Sequence, residues 1–216
     1  GGRAYSFRDG ATGAVVDNGQ HAMMGCYTHT LDFLRRIGAA DRVMRQRNLR
    51  VDMVHPRLGA GVIACPGWPS PLHMLAGIAR YRLLSVAERG MALLAGARLM
   101  GMRRRRDPRL ATSTGDALLV QLGQTAHARE SFWNPVIVAT LNEEPARAAA
   151  GPFVEVLARA FFRSRTDSQF VLPRVGLSEL YTDDARRVIE QGGGQVEMGA
   201  LATGMIVRND RVAGVL

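Results

Sequence analysis

The feature that most constrains the fold of this chain is a change of hydrophobic periodicity along it. Short apolar runs with strand-like alternation lie near both ends, and between them apolar residues recur mainly at every third or fourth position. Strands that alternate with helices are typical of α/β folds. We therefore predict that the ends form one split α/β domain, at residues 1–47 and 168–216, and that a mainly helical domain at 48–167 is inserted between them.

Two glycine turns stand at the start of the first domain. In Gly1-Gly2-Arg3 the backbone can approach a ligand closely, and the guanidinium that follows suits phosphate oxygens. Ala14-Val15-Val16-Asp17 predicts a short strand that leads into the turn at 18–21, and an amphipathic helix is predicted from Thr28 to Ile37. Because α/β sheets hold nucleotides at glycine-lined strand exits, this end is a candidate ligand site.

The second domain is predicted to open with a β-hairpin, formed by 49–54 and 61–65. The glycines at 59–64 match a relaxed dinucleotide-binding fingerprint, but that fingerprint needs a helix directly after the strand. Pro66 and Pro69 forbid a helix there, so we reject 59–64 as a cofactor site.

Helical spacing and capping residues predict the remaining elements. Helices are expected from Ser70-Pro71, from a capping box at 85–88 to about Met102, from 113 or 114 to about 128, from Asn134-Pro135, around 153–161, and at 177–191. Strands are expected at 169–172, 195–198, 202–207 and 211–215, with the last two joined through Asn209-Asp210.

The charge of the chain is strongly basic. The formal net charge is +9, and all 28 basic residues are arginine. Such a charge favours nucleic acid or anionic membrane as a partner, but the uniform use of arginine indicates a compositional bias. The longest run of basic residues, Arg103–Arg106, is interpreted as a solvated loop after a helix. Proteins that bind single-stranded nucleic acid interleave basic residues with aromatic side chains that stack on bases, and no such aromatics are found in this run. We expect no nucleic-acid partner.

Cysteine and histidine usage bounds the chemistry. Cys26 and Cys65 are far apart, which favours a reducing, cytoplasmic compartment. No uninterrupted apolar run reaches the roughly 18 residues of a spanning helix, and peripheral contact at the inner face of the membrane is the membrane role we expect. The histidines share no ligand spacing, so no metal is expected. No residue pattern identifies a catalytic acid, base or nucleophile, and the adjacent carboxylates at 143–144 and 183–184 are interpreted as helix-start charges.

Several motifs together resemble one superfamily. Gly1-Gly2-Arg3, followed by Asp17-x-Gly19-x-His21, resembles the segment after the first βαβ unit of FAD-dependent amine oxidases and carotenoid desaturases. The stretches 132–135, 139–142 and 172–180 resemble the hydroxysqualene dehydroxylase branch of that superfamily, a group of squalene-associated FAD-dependent desaturases.

The resemblance implies a cofactor, a substrate class and a set of site residues. The cofactor would be FAD in a Rossmann-like domain, and the substrate a long hydrophobic isoprenoid, with reductive dehydroxylation of hydroxysqualene to squalene for hopanoid or sterol synthesis as the reaction. Gly1, Gly2 and Arg3 would meet the FAD ribose and phosphates, Gly19, Gln20 and His21 the ribityl chain and isoalloxazine, and Ala202 the adenine.

The resemblance also implies that the chain is an internal fragment. The Gly-x-Gly-x-x-Gly loop of the family should precede Gly1, and the segment that completes the flavin site should follow Leu216, so the FAD domain would be incomplete and the isolated chain inactive. The alternatives within the superfamily are a phytoene-type carotenoid desaturase and a flavin amine oxidase. An alternative of another class is a non-catalytic basic helical module that binds anionic lipid or nucleic acid.

Overall fold

A computed structural model describes residues 4–19 and 22–216. Its first elements are an antiparallel pair of strands, β1 (Ser6–Arg8) and β2 (Val15–Asp17), followed by β3 (Met23–Met24). Helix α1 (Thr28–Arg36), a 3-10 turn (Ala40–Arg42) and β4 (Val43–Arg45) come next. The predicted helix end is confirmed, because Gly38 follows α1 with a φ of 80°, a conformation that glycine adopts at helix ends without strain.

The predicted hairpin is confirmed. β5 (Arg50–His55) pairs with β6 (Gly59–Ala64) in a continuous antiparallel register. The fingerprint-like glycines thus lie within a strand and no helix follows them directly. Gly61 lets β6 approach the helical unit, since a Cβ at this position would lie 2.6 Å from Cγ of Leu83.

Two helices follow the hairpin, α2 (Leu72–Ala79) and α3 (Val86–Arg105). The interpretation of Arg103–Arg106 as a loop is wrong, because α3 continues through Arg105. The capping box of α3 is confirmed, because Ser85 Oγ accepts a hydrogen bond from the Glu88 amide and the Glu88 carboxylate accepts one from the Ser85 amide. The prediction that Ser70 caps α2 is wrong. Its hydroxyl donates instead to the carbonyl of Phe161 at 3.0 Å, a distant partner that its own sequence neighbourhood does not reveal.

Glu88 also joins α3 to the segment around residue 127. Burial alone would raise the pKa of this carboxyl, but hydrogen bonds from Thr125, Ser85 and His127 outweigh burial and lower the pKa to about 2. The charged carboxylate is therefore the form that the fold stabilises.

The rest of the middle region consists of short helical segments: α4 (Arg109–Thr112), α5 (Gly115–Gln121), α6 (Ala126–Ala128), a π turn (Arg129–Trp133), α7 (Asn134–Leu141), α8 (Ala150–Leu157), a second π turn (Ala158–Phe162) and a 3-10 turn (Thr166–Ser168). The single helix predicted up to residue 128 is divided, because Gly123 adopts a φ of 76° and Thr125 starts a new helix. Asn134 is no cap, since the chain enters α7 directly from the π turn.

The middle helices and the β5–β6 hairpin share one hydrophobic core. Its aromatic side chains touch edge to face, with ring centroids 4.8 Å apart for Phe132 and Trp133 and 6.2 Å apart for Trp133 and Phe153. The indole N–H of Trp133 donates to Gln124 at 2.7 Å, so the buried ring leaves no unpaired donor. Interlocking apolar side chains fill the space between these helices.

A smaller hydrophobic cluster lies between α1 and α9 (Leu177–Gln191), around Leu34 and Leu180. Beside it, β7 (Phe170–Pro173) pairs with β3 on one side and with β4 on the other, antiparallel in both cases. Segments near the two ends of the chain are thus brought together. The domain boundaries at residues 47 and 168 stay a prediction.

The described chain ends in a second hairpin, β8 (Met205–Arg208) and β9 (Arg211–Val215). Its turn is confirmed, because Asn209 and Asp210 have φ values of 51° and 56°. The strand predicted at 195–198 is wrong, and residues 202–204 precede β8, so Ala202 lies outside any strand. An alternating apolar pattern identifies a strand only where a hydrogen-bonding partner is available, and the sequence does not show that partner.

The chain is of mixed helix and strand, which is compatible with the predicted α/β class. The strand pairs in the described residues are antiparallel, and the Rossmann-like domain stays a prediction. In the described part of the chain, no helix combines the length and the apolarity needed to cross a membrane.

Candidate functional site

The candidate site lies where the β1–β2 hairpin meets the start of α9. Asp17 Oδ1 accepts hydrogen bonds from the hydroxyl of Ser6 at 2.6 Å and from the amide of Leu177 at 3.0 Å. Ser6 and Ser178 each use a side-chain oxygen to accept the amide proton of the other, at 3.0 and 2.9 Å. Since the residue before α9, Gly176, has no side chain to cap the helix, the hairpin supplies the cap from a distant part of the sequence.

Gly176 makes this close approach possible. A Cβ at residue 176 would lie 2.8 Å from Ser6 Oγ and 3.0 Å from Cγ1 of Val15, closer than ordinary van der Waals contact. The structure thus brings together two stretches that the sequence singled out separately, the strand before Gly19 and the segment 172–180.

A groove of about 400 Å³ opens at this junction. It is lined by Val15, Asp17, Pro173, Arg174, Val175, Gly176 and Glu179. The backbone amide of Arg174 donates to the carbonyl of Arg42 at 2.8 Å, which fixes the loop, while its side chain is exposed at the rim. Hydrogen bonds to Arg42 on one side and to Asp17 on the other therefore hold the backbone segment 174–177 that forms the groove.

A buried carboxylate holds α9 in place beneath the groove. Asp184 is almost fully buried and forms ion pairs with Arg42 at 2.7 Å and with Arg187 on the next helical turn. The interpretation of the pair at 183–184 as helix-start charges is wrong, because both residues lie in the middle of α9. Asp184 instead positions α9 against the 3-10 turn before β4.

The residues predicted to contact FAD are only partly within the described chain. Gly1, Gly2, Arg3, Gln20 and His21 lie outside the described residues. Gly19 follows β2 in an exposed bend, and Ala202 is exposed in the segment before β8. The structure therefore shows a surface position for these last two and nothing about the other five.

The described residues do not fit FAD on their own. Helix starts can hold phosphate groups, and the first turn of α9 lies in the groove. However, the amides of Leu177 and Ser178 already bond to Asp17 and Ser6, and the Asp17 carboxylate would repel a pyrophosphate. Gly19 and Ala202 are both exposed, so neither contributes to an enclosed pocket within this part of the chain.

A second polar group, which the sequence did not reveal, is buried between α2 and the 3-10 turn before β7. His73 Nε2 lies 3.0 Å from Ser168 Oγ, and that hydroxyl donates to the carbonyl of Arg165 at 2.8 Å. Burial is the main cause that lowers the pKa of His73. Because Ser168 already donates its proton to a carbonyl, the pair is not arranged as a base-activated nucleophile. His73 and Ser168 are 95 residues apart, so no local pattern in the sequence indicates that they pair.

The comparison with protein families decides the class of the chain. The model of the flavin-containing amine oxidoreductases matches residues 1–203. The chain belongs to this family. It is therefore a flavin-dependent oxidoreductase, and its cofactor is FAD. A search of curated proteins gave no match.

The family match covers both stretches that meet at the candidate site, the β1–β2 hairpin and the segment 172–180. It also covers the helical unit between them. Membership in an oxidoreductase family favours the catalytic hypotheses over a non-catalytic basic module.

Proposed function

We propose that the chain acts in the reductive dehydroxylation of a long isoprenoid alcohol, with hydroxysqualene as substrate and squalene as product. The observation that supports this proposal most is the family match over 1–203, combined with the stretches 132–135 and 172–180 that resemble the hydroxysqualene dehydroxylase branch. The reaction replaces a C–OH bond by a C–H bond, consumes two electrons and two protons, and releases water. FAD is the group that supplies hydride chemistry of this kind when it is bound.

The proposed role of the described residues is to position the flavin-binding turns. Ser6, Asp17 and Ser178 fix the β1–β2 hairpin, which ends two residues before Gly19, on the start of α9. In this proposal the turn that contains Gly19, Gln20 and His21 lies beside the isoalloxazine, with Gly1, Gly2 and Arg3 at the phosphates and Ala202 at the adenine.

We also propose that the 216-residue chain alone binds FAD weakly. The start of α9 is already capped by Ser6 and Asp17, and the exposed Gly19 and Ala202 do not enclose a ligand. Titration of the purified chain with FAD, followed by flavin fluorescence, tests this point. Stoichiometric binding at micromolar FAD would contradict it.

A flavin amine oxidase is the second candidate, because the matched family is described by amine oxidation. Product analysis separates the two reactions. Incubation with reduced flavin and hydroxysqualene should give squalene, whereas an amine oxidase should release hydrogen peroxide and an aldehyde or ketone from an amine under air. Peroxide formation from amines, with no squalene, would replace the first proposal by the second.

A further inference from the structure

The long helix α3 carries exposed apolar side chains as well as buried ones. Its buried side is formed by Ala92, Ala95, Leu99 and Met102. On other sides of the helix, Val86 is 80% exposed and Leu94 is 44% exposed. Within residues 4–19 and 22–216, these two side chains are thus open to solvent.

The exposed side changes from apolar to basic along the helix. One stripe is formed by residues at alternating spacings of four and three: Ala87, Met91, Leu94, Arg98, Gly101 and Arg105. Its first half carries apolar side chains and its second half carries arginines, so both kinds of side chain project from the same side of the molecule.

The basic half of the stripe has more arginines around it than carboxylates. Arg103 is paired with Glu155, and Arg109 with Asp107. In the part of the chain that the structure describes, four further arginines at this end of α3 form no ion pair: Arg98, Arg104, Arg105 and Arg106. Some of this charge complements the helix dipole, but a local excess of four cations is more than a helix end requires.

A groove of about 550 Å³ lies among these arginines. Arg98, Arg105 and Arg109 line it, together with Gly101, Gln121 and the carboxylate of Asp107, which is paired with Arg109. The space in front of Gly101 is open, because a Cβ at this position would meet no atom within 4 Å. Guanidinium groups bind phosphate oxygens through paired hydrogen bonds, so the groove has the chemistry of a phosphodiester site.

We propose that this side of α3 docks on a membrane that contains anionic phospholipid. A phospholipid surface offers both features that the stripe would match, phosphate groups for Arg98 and Arg105 and an apolar layer for Met91 and Leu94. A nucleic acid offers only the phosphates, and the stripe carries no aromatic side chain on which bases could stack. The inference does not depend on the flavin reaction.

Vesicle co-sedimentation of the purified chain tests the proposal. Vesicles of phosphatidylcholine that contain phosphatidylglycerol should bind the chain, and vesicles of phosphatidylcholine alone should bind it far less. The double variant Arg98→Gln/Arg105→Gln should bind anionic vesicles roughly 30-fold more weakly, because each basic residue near the surface contributes about one kcal/mol. Gly101→Glu, which places a carboxylate in the open groove, should weaken binding about tenfold or more.

Matched controls separate the proposed surface from general charge. Arg208→Gln/Arg211→Gln removes the same charge from the exposed β8–β9 hairpin and should leave vesicle binding within about twofold. Leu94→Gln should also weaken binding to anionic vesicles, because it removes the apolar contact. Circular dichroism and thermal melting check that each variant is folded.

Four results would overturn the proposal. The first is a wild-type chain that does not bind anionic vesicles. The second is an equal loss of vesicle binding in the β8–β9 hairpin control, or no loss of vesicle binding in Leu94→Gln. Either result would indicate unspecific attraction between charges. The third is tighter binding to a single-stranded oligonucleotide than to anionic vesicles, with the same dependence on Arg98 and Arg105, which would assign the groove to nucleic acid. Inorganic phosphate that displaces the chain at low millimolar concentration would likewise assign it to a free anion.

Discussion

Replacement of Asp17 by alanine should loosen the contact between the β1–β2 hairpin and α9. Asp17 accepts one hydrogen bond from the Leu177 amide and a shorter one from the Ser6 hydroxyl. A helix-capping bond typically contributes about 1 kcal/mol, and a bond to a charged acceptor about 1.5–3 kcal/mol. Because the site is partly buried, we expect the local opening free energy to fall by about 2–3 kcal/mol.

Hydrogen exchange measured by mass spectrometry tests this expectation. A loss of that size corresponds to roughly 30- to 150-fold faster exchange in peptides that cover 4–9 and 175–181. Asp9→Ala is the matched control in the same hairpin, since Asp9 also accepts two hydrogen bonds, both from Thr12 within an exposed turn. Its effect should be confined to that turn.

The reasoning would be refuted by either of two results. One is that exchange at Leu177 and Ser178 is the same in wild type and in Asp17→Ala. The other is that Asp9→Ala accelerates exchange at the start of α9 as strongly as Asp17→Ala does. In both cases the hairpin would not cap α9, and the proposed support of the turn at Gly19 would be lost.

Three further substitutions test other parts of the account. Because the pKa of Glu88 is lowered from 4.5 to about 2, the stabilisation that its carboxylate gives should be complete above pH 5 and lost as the pH falls from about 4.5 towards 2. Thermal melts of Glu88→Gln and wild type should therefore differ most at neutral pH and converge in acid. Asp184→Ala leaves the partly buried Arg42 without its partner and should lower the free energy of unfolding in urea by about 3 kcal/mol. The control Asp183→Ala, at the exposed neighbouring position, should change this free energy little. Gly25→Ala should destabilise the chain by about 3 kcal/mol, because the new Cβ would lie 1.9 Å from the carbonyl oxygen of Thr166. The control Gly90→Ala, where a Cβ meets open space within α3, should stabilise the chain by about 1 kcal/mol.

Each of these three predictions has an outcome that would contradict it. A Glu88→Gln variant that keeps the full acid sensitivity of wild type would mean that another carboxylate controls it. Equal losses at 183 and 184 would mean that the ion pairs of Asp184 do not position α9. A Gly25→Ala chain as stable as wild type would contradict the close passage of the residue after β3 against the turn before β7.

Features that depend on neighbouring residues were predictable from the sequence. The capping box at Ser85, the glycine after α1 and the Asn209-Asp210 turn are each determined within a few residues. Rejection of 59–64 as a dinucleotide site had the same basis, because the following prolines exclude a helix whatever the rest of the chain does.

Features that depend on distant partners were not predictable. Ser70 has a sequence context typical of a helix cap, yet its hydroxyl bonds to Phe161 across the fold. Ser6 and Ser178 are 172 residues apart, and neither has a local pattern that indicates the pairing. Asp184 was interpreted as a helix-start charge, and its burial was not predictable because it depends on the approach of the distant Arg42. At the candidate site, the sequence indicated the two stretches but not the hydrogen bonds that join them.

The most direct test of the central claim is the flavin content of the protein as its native host makes it. Purified from its native host, it should show the absorption bands of oxidised flavin, release FAD on denaturation, and bleach on anaerobic reduction. Addition of hydroxysqualene to the reduced protein should restore the oxidised spectrum and yield squalene in equal amount. A folded, colourless protein that takes up no added FAD would contradict the account.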